Sequence, residues 1–166
     1  MQLNHYNTNF TKRTFPITLV CENVTNAPNI GSLFRIADAF GVEKIIFCGE
    51  AIPLGRKMTK TSRATEKVVN YEVAENILDV VADLKSSGFS IISLEITDKS
   101  TPIHQFKRLT NQPIVLVIGD ENFGVSEVVL KQSNTVIHIE MFGQNSSMNV
   151  VQATNIALYE ITKQMM

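Results

Sequence analysis

Three short stretches hold the residues whose types and spacing could do chemistry. "GDENFGVS" (119–126) follows the most apolar run of the chain, "MFGQNSSMN" (141–149) follows a second, and "ENVTNAPNIGSLFR" (22–35) follows a third. The first is neither a dinucleotide fingerprint nor a phosphate loop. It lacks the G-x-G start and the G-K-[ST] end through which backbone amides cradle phosphates. Its glycines, Gly119 and Gly124, supply positive φ or close approach to a ligand, although a plain glycine turn with exposed acids reads as well from this segment alone. The second stretch offers small amides and hydroxyls, none of which titrates near neutral pH. A helix start needs one cap, yet Asn145, Ser146, Ser147 and Asn149 crowd the same one. The third puts Arg35 about a turn into a helix whose start faces the strand ends. A solvated or salt-bridged arginine reads equally from that position.

The usual catalytic sets are missing. His5, His104 and His138 fall in a terminus, a loop and a strand, so no nucleophile–histidine–acid triad is expected. His138 reads as a strand residue with its own hydrogen-bond partner. Cys21 and Cys48 are isolated and have no metal-ligand spacing, which fits a reducing interior. No metal is expected. A reaction that positions an activated cofactor fits better than covalent or metal-assisted chemistry. Net charge is −1 and carries no message, but its distribution does. Within "GRKMTKTSRATEK" (55–67), Arg56, Lys57, Lys60, Arg63 and Lys67 face Glu66 alone. That is either a solvated charged loop or a surface for phosphates, which Arg, Lys, Ser and Thr contact most. The N-terminus has no apolar leader and no run reaches membrane length, so the expected location is the cytoplasm and no membrane partner is expected.

The elements that must position these loops follow from periodicity. Runs such as "ITLVCE" (17–22), "KIIFCG" (44–49), "FSIISLEI" (89–96), "PIVLVIG" (113–119) and "TVIHIEM" (135–141) read as strands, with "KVVNYEV" (67–73) a further short one. "PIVLVIG" is apolar throughout, as a central, doubly covered strand requires. Helical spacing appears from Ile30 to Phe40, in "AENILDVVADLKSSG", in "SEVVLKQS" and from Ser147 almost to the end. Alternating strands and helices argue for an α/β domain with a mainly parallel sheet and helices on both faces. At 166 residues one domain is expected, with residues 1–16 as an N-terminal extension. In such sheets ligands bind beyond the C-terminal strand ends, where all three stretches fall.

Taken together, the stretches resemble the three motifs of the SpoU (TrmH) family, in the SPOUT superfamily of RNA ribose 2'-O-methyltransferases. "NIGSLFRIADAFGVEKI" (29–45) is similar to the first, "IVLVIGDENFGVS" (114–126) to the second and "IEMFGQNSSMNVVQA" (139–153) to the third. Three departures stand out: Glu140 for the usual proline, Met148 for leucine, and Gln152 for a small or apolar residue. The resemblance implies a C-terminal trefoil knot and S-adenosylmethionine bound in it. Leu94, Glu95, Gly119, Ile139, Met141 and Met148 would meet the cofactor largely through the backbone, with Glu121 and Gly124 beside them. It implies Arg35 at the ribose hydroxyl, Asn29 orienting that arginine or the ribose, Glu121 and Ser147 fixing arginine and substrate, and Asn149 supporting the loop. It implies a homodimer formed by the first and last helices, acting on tRNA or rRNA. The rival readings are a base methyltransferase of the same fold and a catalytically silent RNA-binding module. A nucleotide-binding oxidoreductase is disfavoured by the missing fingerprint.

Overall fold

The computed structural model describes residues 2–3 and 7–166, so His5 lies outside the described residues. Strand β1 (Phe15–Glu22) leads into helix α1 (Ala27–Ala39), then β2 (Val42–Cys48), α2 (Arg56–Ser62) and β3 (Tyr71–Ala74). Helix α3 (Ile77–Ser86), β4 (Ser90–Leu94), the short β5 (Thr101–Pro102) and β6 (Ile114–Ile118) follow. The chain closes with α4 (Glu127–Gln132), β7 (Thr135–His138) and α5 (Val150–Lys163). The strands form one seven-stranded sheet in the order β3-β2-β1-β6-β4-β7-β5. Every pairing in it is parallel.

The period of two along each strand divides the core between the two faces. On β6, Ile114, Leu116 and Ile118 join the cluster that holds Leu33 and Phe34 of α1 and Leu158 and Ile161 of α5. Val115 and Val117 point the other way, to Val81 of α3 and Val129 of α4. The all-apolar run is therefore a central strand covered on both sides. Cys21 and Cys48 belong to opposite clusters, one per face, and both are free. β7 inserts between β4 and β5, so the 95–100 connection crosses the sheet end over β7. This insertion puts the ends of β6, β4 and β7 side by side.

Four expectations need correction. Helix α1 starts at Ala27 rather than near Ile30, because the Asn26 side chain accepts the Asn29 N–H at 3.0 Å and Pro28 suits a first turn. Arg35 is thus more than two turns into the helix. The last helix starts at Val150 rather than Ser147, because Asn149 caps it through the Val151 N–H at 2.9 Å. β1 begins at Phe15, inside the expected extension. Phe15 donates its N–H to Gly41 at 2.7 Å, and the Arg13 guanidinium lies 4.6 Å from the Phe15 ring centre. The basic stretch, read as a loop, is helical over Arg56–Ser62.

The last correction has a packing cause. Met58 and Ser62, four residues apart, are buried against α1 while the cations face outward. The two helices approach so closely that a Cβ on Gly31 would strike Thr61 Oγ1 and the Met58 carbonyl. Thr61 Oγ1 also donates to the Pro28 carbonyl at 3.0 Å. Gly31 therefore seats the basic helix on the first turns of α1. Beyond it, Arg63 and Ala64 both adopt left-handed φ, 51° and 68°, which turns the chain sharply toward β3.

Candidate functional site

The "GDENFG" turn is built from its own side chains. Asp120 Oδ1 accepts the Asn122 and Phe123 N–H groups at 2.6 and 2.7 Å, and the Gly124 N–H returns to the Asp120 carbonyl at 3.0 Å. The two glycines face each other: a Cβ on Gly119 would collide with the Gly124 carbonyl and the Val125 nitrogen. Gly124 sits at φ 65°, and a Cβ there would strike the Glu95 carboxylate. Glu95 Oε2 accepts the Val125 N–H at 2.9 Å, fastening the turn to the end of β4. On the other side, buried Glu22 at the end of β1 accepts the Ser126 N–H at 2.9 Å. The turn is therefore held by an acid from each flanking strand.

That construction throws Glu121 outward. Its Oε1 accepts Asn29 Nδ2 and Asn149 Nδ2, both at 2.8 Å, and Asn149 Nδ2 also lies 3.3 Å from Asn29 Oδ1. One carboxylate oxygen thus joins the first turn of α1, the turn after β6 and the cap of α5. The three stretches singled out from the sequence meet at this point.

Beside the junction, a cavity of about 310 Å³ opens over the ends of β4, β6 and β7. Leu94, Glu95, Gly119, Glu121, Gly124, Ile139, Met141 and Met148 all line it, and Ser147 does too. No lysine or arginine lines it, while Glu95, Asp120 and Glu121 do. Glu140 does not face it. Its carboxylate instead lies 3.4 Å from His104 Nδ1, so the residue in the usual proline position directs its charge away from the cavity.

Arg35 stands apart from this group. It is exposed and makes no hydrogen bond or ion pair among the described residues, so Glu121 does not fix it within the chain. Six helical positions separate it from Asn29, a translation of roughly 9 Å and a turn of roughly 240° around α1. It borders a separate depression of about 400 Å³ between α1 and α5, with Ser32, Gln152 and Asn155. Arg56, Lys57 and Lys60 lie on the outer face of α2, and Arg63 follows its end; all four are exposed and none is ion-paired among the described residues.

Sequence reasoning missed three residues. Glu22 and Asp120 hold the turn, and their signals were an acid closing an apolar strand and the glycine–aspartate start of a turn. His138 lines the cavity, and its Nδ1 is buried with no hydrogen-bond partner, contrary to the expectation of a satisfied strand histidine. The cysteines offer no nucleophile. Burial, aided by Glu22 and Glu72, pushes the Cys48 thiol up to about 12, and burial, aided by Cys48, raises Cys21 well above its ordinary value. Among the described residues no group of three or more His, Cys, Asp or Glu could hold a metal ion. Among them no helix is long and apolar enough to cross a membrane.

Comparison with known proteins finds relatives over most of the chain. A tRNA (guanosine(18)-2'-O)-methyltransferase of Aquifex aeolicus is 30% identical over 156 residues, which cover 92% of this chain and 72% of that protein. An uncharacterized tRNA/rRNA methyltransferase of Synechocystis is 31% identical over 153 residues, 91% of this chain but 39% of its relative. The chain therefore spans well under half of one relative and nearly three quarters of the other. The crystal structure of the A. aeolicus TrmH/SpoU tRNA modifying enzyme superposes with a TM-score of 0.83 at 28% identity, covering 92% of this chain and 77% of that one. An AdoMet-bound rRNA methyltransferase from Sinorhizobium meliloti gives 0.85 at 20% identity, over 95% of this chain and 59% of that one, a likeness of fold. The SpoU rRNA Methylase family matches residues 16–159, a span that takes in all but the first residue of the sheet, the cavity and all three meeting loops, and the chain belongs to that family.

Proposed function

We propose that this chain transfers a methyl group from S-adenosylmethionine to a ribose 2'-hydroxyl of tRNA or rRNA. The observation that carries the reading is the Glu121 junction, where the three motif loops meet beside the cavity. The relatives' names supply the substrate class.

The cavity fits the cofactor chemically. Its wall holds three carboxylates and no cation, which repels phosphate-bearing ligands and suits a cationic sulfonium. S-adenosylmethionine, when bound, supplies an activated methyl on that sulfur. Leu94, Glu95, Gly119, Gly124, Ile139, Met141 and Met148 would hold it, with Glu121 at the edge. The Gly124 backbone is already fixed by its N–H bond to the Asp120 carbonyl, so little ordering of that turn remains to be done on binding.

The chain's task is then alignment and charge. Orienting two reacting groups is worth up to about 7–11 kcal/mol of barrier. Arginine stays protonated at ordinary pH, so Arg35 acts by holding the RNA phosphate and stabilising the developing alkoxide. Asn29, anchored on Glu121, orients the ribose. Ser147 contacts the substrate from the cavity rim, and Asn149 holds the loop through its double role as cap and junction. Arg56, Lys57, Lys60 and Arg63, exposed and seated next to the first turn of α1, form the RNA-facing surface.

Arg35 lies outside the cavity of its own chain, and Ile156 and Tyr159 of α5 are 37% and 56% exposed. These features support a homodimer through α1 and α5 in which the second copy completes the RNA site. The crossing of the 95–100 connection over β7 supports a trefoil knot, with the segment after β7 threaded beneath it. Residues 1–166 act as one domain, and the cytoplasm is the matching compartment.

Calorimetric titration with S-adenosylhomocysteine tests the reading. One site per chain is expected. No heat and no thermal shift at millimolar ligand would remove it. Arg35→Ala should abolish transfer to RNA and leave that binding intact.

A further inference from the structure

Among the described residues His138 is the only imidazole on the cavity wall, and the reaction described above gives it no task. It closes β7, where its backbone pairs with Pro102 of β5. Its Nδ1 is sealed from solvent without a hydrogen-bond partner. Folded proteins keep few such atoms, and each calls for an explanation.

The seal decides the tautomer. A proton on Nδ1 would bury an N–H with no acceptor, which native structures tolerate less than an idle acceptor. The proton therefore belongs on Nε2. That nitrogen is not a sealed orphan, so the ring offers its Nε2–H edge to the cavity it lines.

The surrounding groups narrow what accepts this hydrogen bond. Glu95 already takes the Ile96 and Val125 N–H groups, and Asp120 takes those of Asn122 and Phe123. Neither is bonded to His138. A ligand carboxylate or phosphate would sit among three acids with no lysine or arginine nearby. A neutral acceptor avoids that repulsion, and Ile139, the next residue, is among those that would hold the cofactor. We infer that His138 is a cofactor-recognition residue whose Nε2–H donates to a neutral acceptor of the adenosyl group. The inference rests on the cofactor reading above.

The test uses the full chain and two ligands, S-adenosylhomocysteine and 5'-methylthioadenosine, which keeps the purine and ribose and lacks the carboxylate. His138→Phe preserves a ring of similar size and removes the donor. Kd should rise about three- to tenfold for both ligands, the effect of one lost neutral hydrogen bond. His138→Gln, whose amide nitrogen occupies the place of Nε2, should restore both affinities to within about twofold. Wild-type affinity in His138→Phe overturns the proposal, and so does a loss confined to S-adenosylhomocysteine, which would assign the histidine to the carboxylate. Equal weakening in His138→Gln and His138→Phe overturns it too, because packing alone would then be at stake. If the wild-type chain binds neither ligand, the methyl-transfer reading fails along with it.

Discussion

Glu121→Ala removes the acceptor on which three loops converge, and its cost follows from the geometry. Two hydrogen bonds to one carboxylate oxygen, both 2.8 Å long, are lost together. Hydrogen bonds to charged groups contribute about 1.5–3 kcal/mol each where water is excluded. Both bonds here are exposed, and exposed ionic contacts are worth about 0.2–1 kcal/mol. The sum expected is about 0.5–2 kcal/mol, or roughly 1–8 °C in Tm for a domain of this size. Asn149→Ala should cost about 1–2 kcal/mol, because it loses one of these two bonds together with the Val151 cap at 2.9 Å, itself worth about 1 kcal/mol. A double-mutant cycle between the two positions should give a coupling of about 0.5–1 kcal/mol, since residues in one network are not additive. Glu121→Gln keeps an oxygen acceptor and loses only the charge, so its Tm should fall by less than half as much as for alanine. Equilibrium urea and thermal unfolding of the four variants measure all of this. Strict additivity, with coupling below about 0.3 kcal/mol, would refute the junction.

Two further outcomes are expected. Gly31→Ala should lower stability by about 1–3 kcal/mol, the usual cost of overpacking, because the new Cβ meets the Met58 carbonyl as well as the Thr61 hydroxyl; an unchanged Tm would show that α1 and α2 can part without cost. Replacing Arg56, Lys57 and Arg63 together by alanine should flatten the log–log salt dependence of RNA affinity by roughly two to three contacts. An unchanged slope would return the outer face of α2 to a merely solvated surface.

Legibility differed by the range of the forces involved. Strand and helix identity was readable because an apolar residue at period two or near 3.6 must face a core, and "PIVLVIG" left no polar side at all. Strand order was not readable, because β7 enters between β4 and β5 through contacts distant in sequence. The helix over Arg56–Ser62 was hidden by its composition. Six polar or charged residues out of seven read as loop, and only the burial of Met58 and Ser62 against α1, permitted by Gly31, makes it a helix. The start of α1 was misjudged at "NAPN" because asparagine and proline signal a break as readily as a cap and a first turn. Arg35 could be placed on a helix from spacing, but its angle around that helix depended on where the helix began.

The cavity residues were legible for a different reason: they are the residues that the backbone cannot do without. A turn in which Gly119 and Gly124 face each other admits no side chain at either position, and the Glu95 carboxylate fills the remaining space. Such a turn must appear in the sequence as glycines at fixed spacing. The residues that tie it down, Glu22 and Asp120, could have been other hydrogen-bond acceptors and left no comparable mark. Asn29 and Glu121 lie 92 positions apart, and Asn149 lies 28 positions further on, yet one oxygen serves both asparagines. The parallel sheet makes that possible. With every strand running the same way, all the loops that follow strands emerge at one end, and β6 lies between β1 and β4, with β7 next beyond. Three loops distant in sequence then need only short polar side chains to meet. The same arrangement couples them: a change in any one loop moves the cap of α5, the first turn of α1 or the cavity rim, so that folding stability and ligand affinity should vary together across substitutions at Asn29, Glu121 and Asn149.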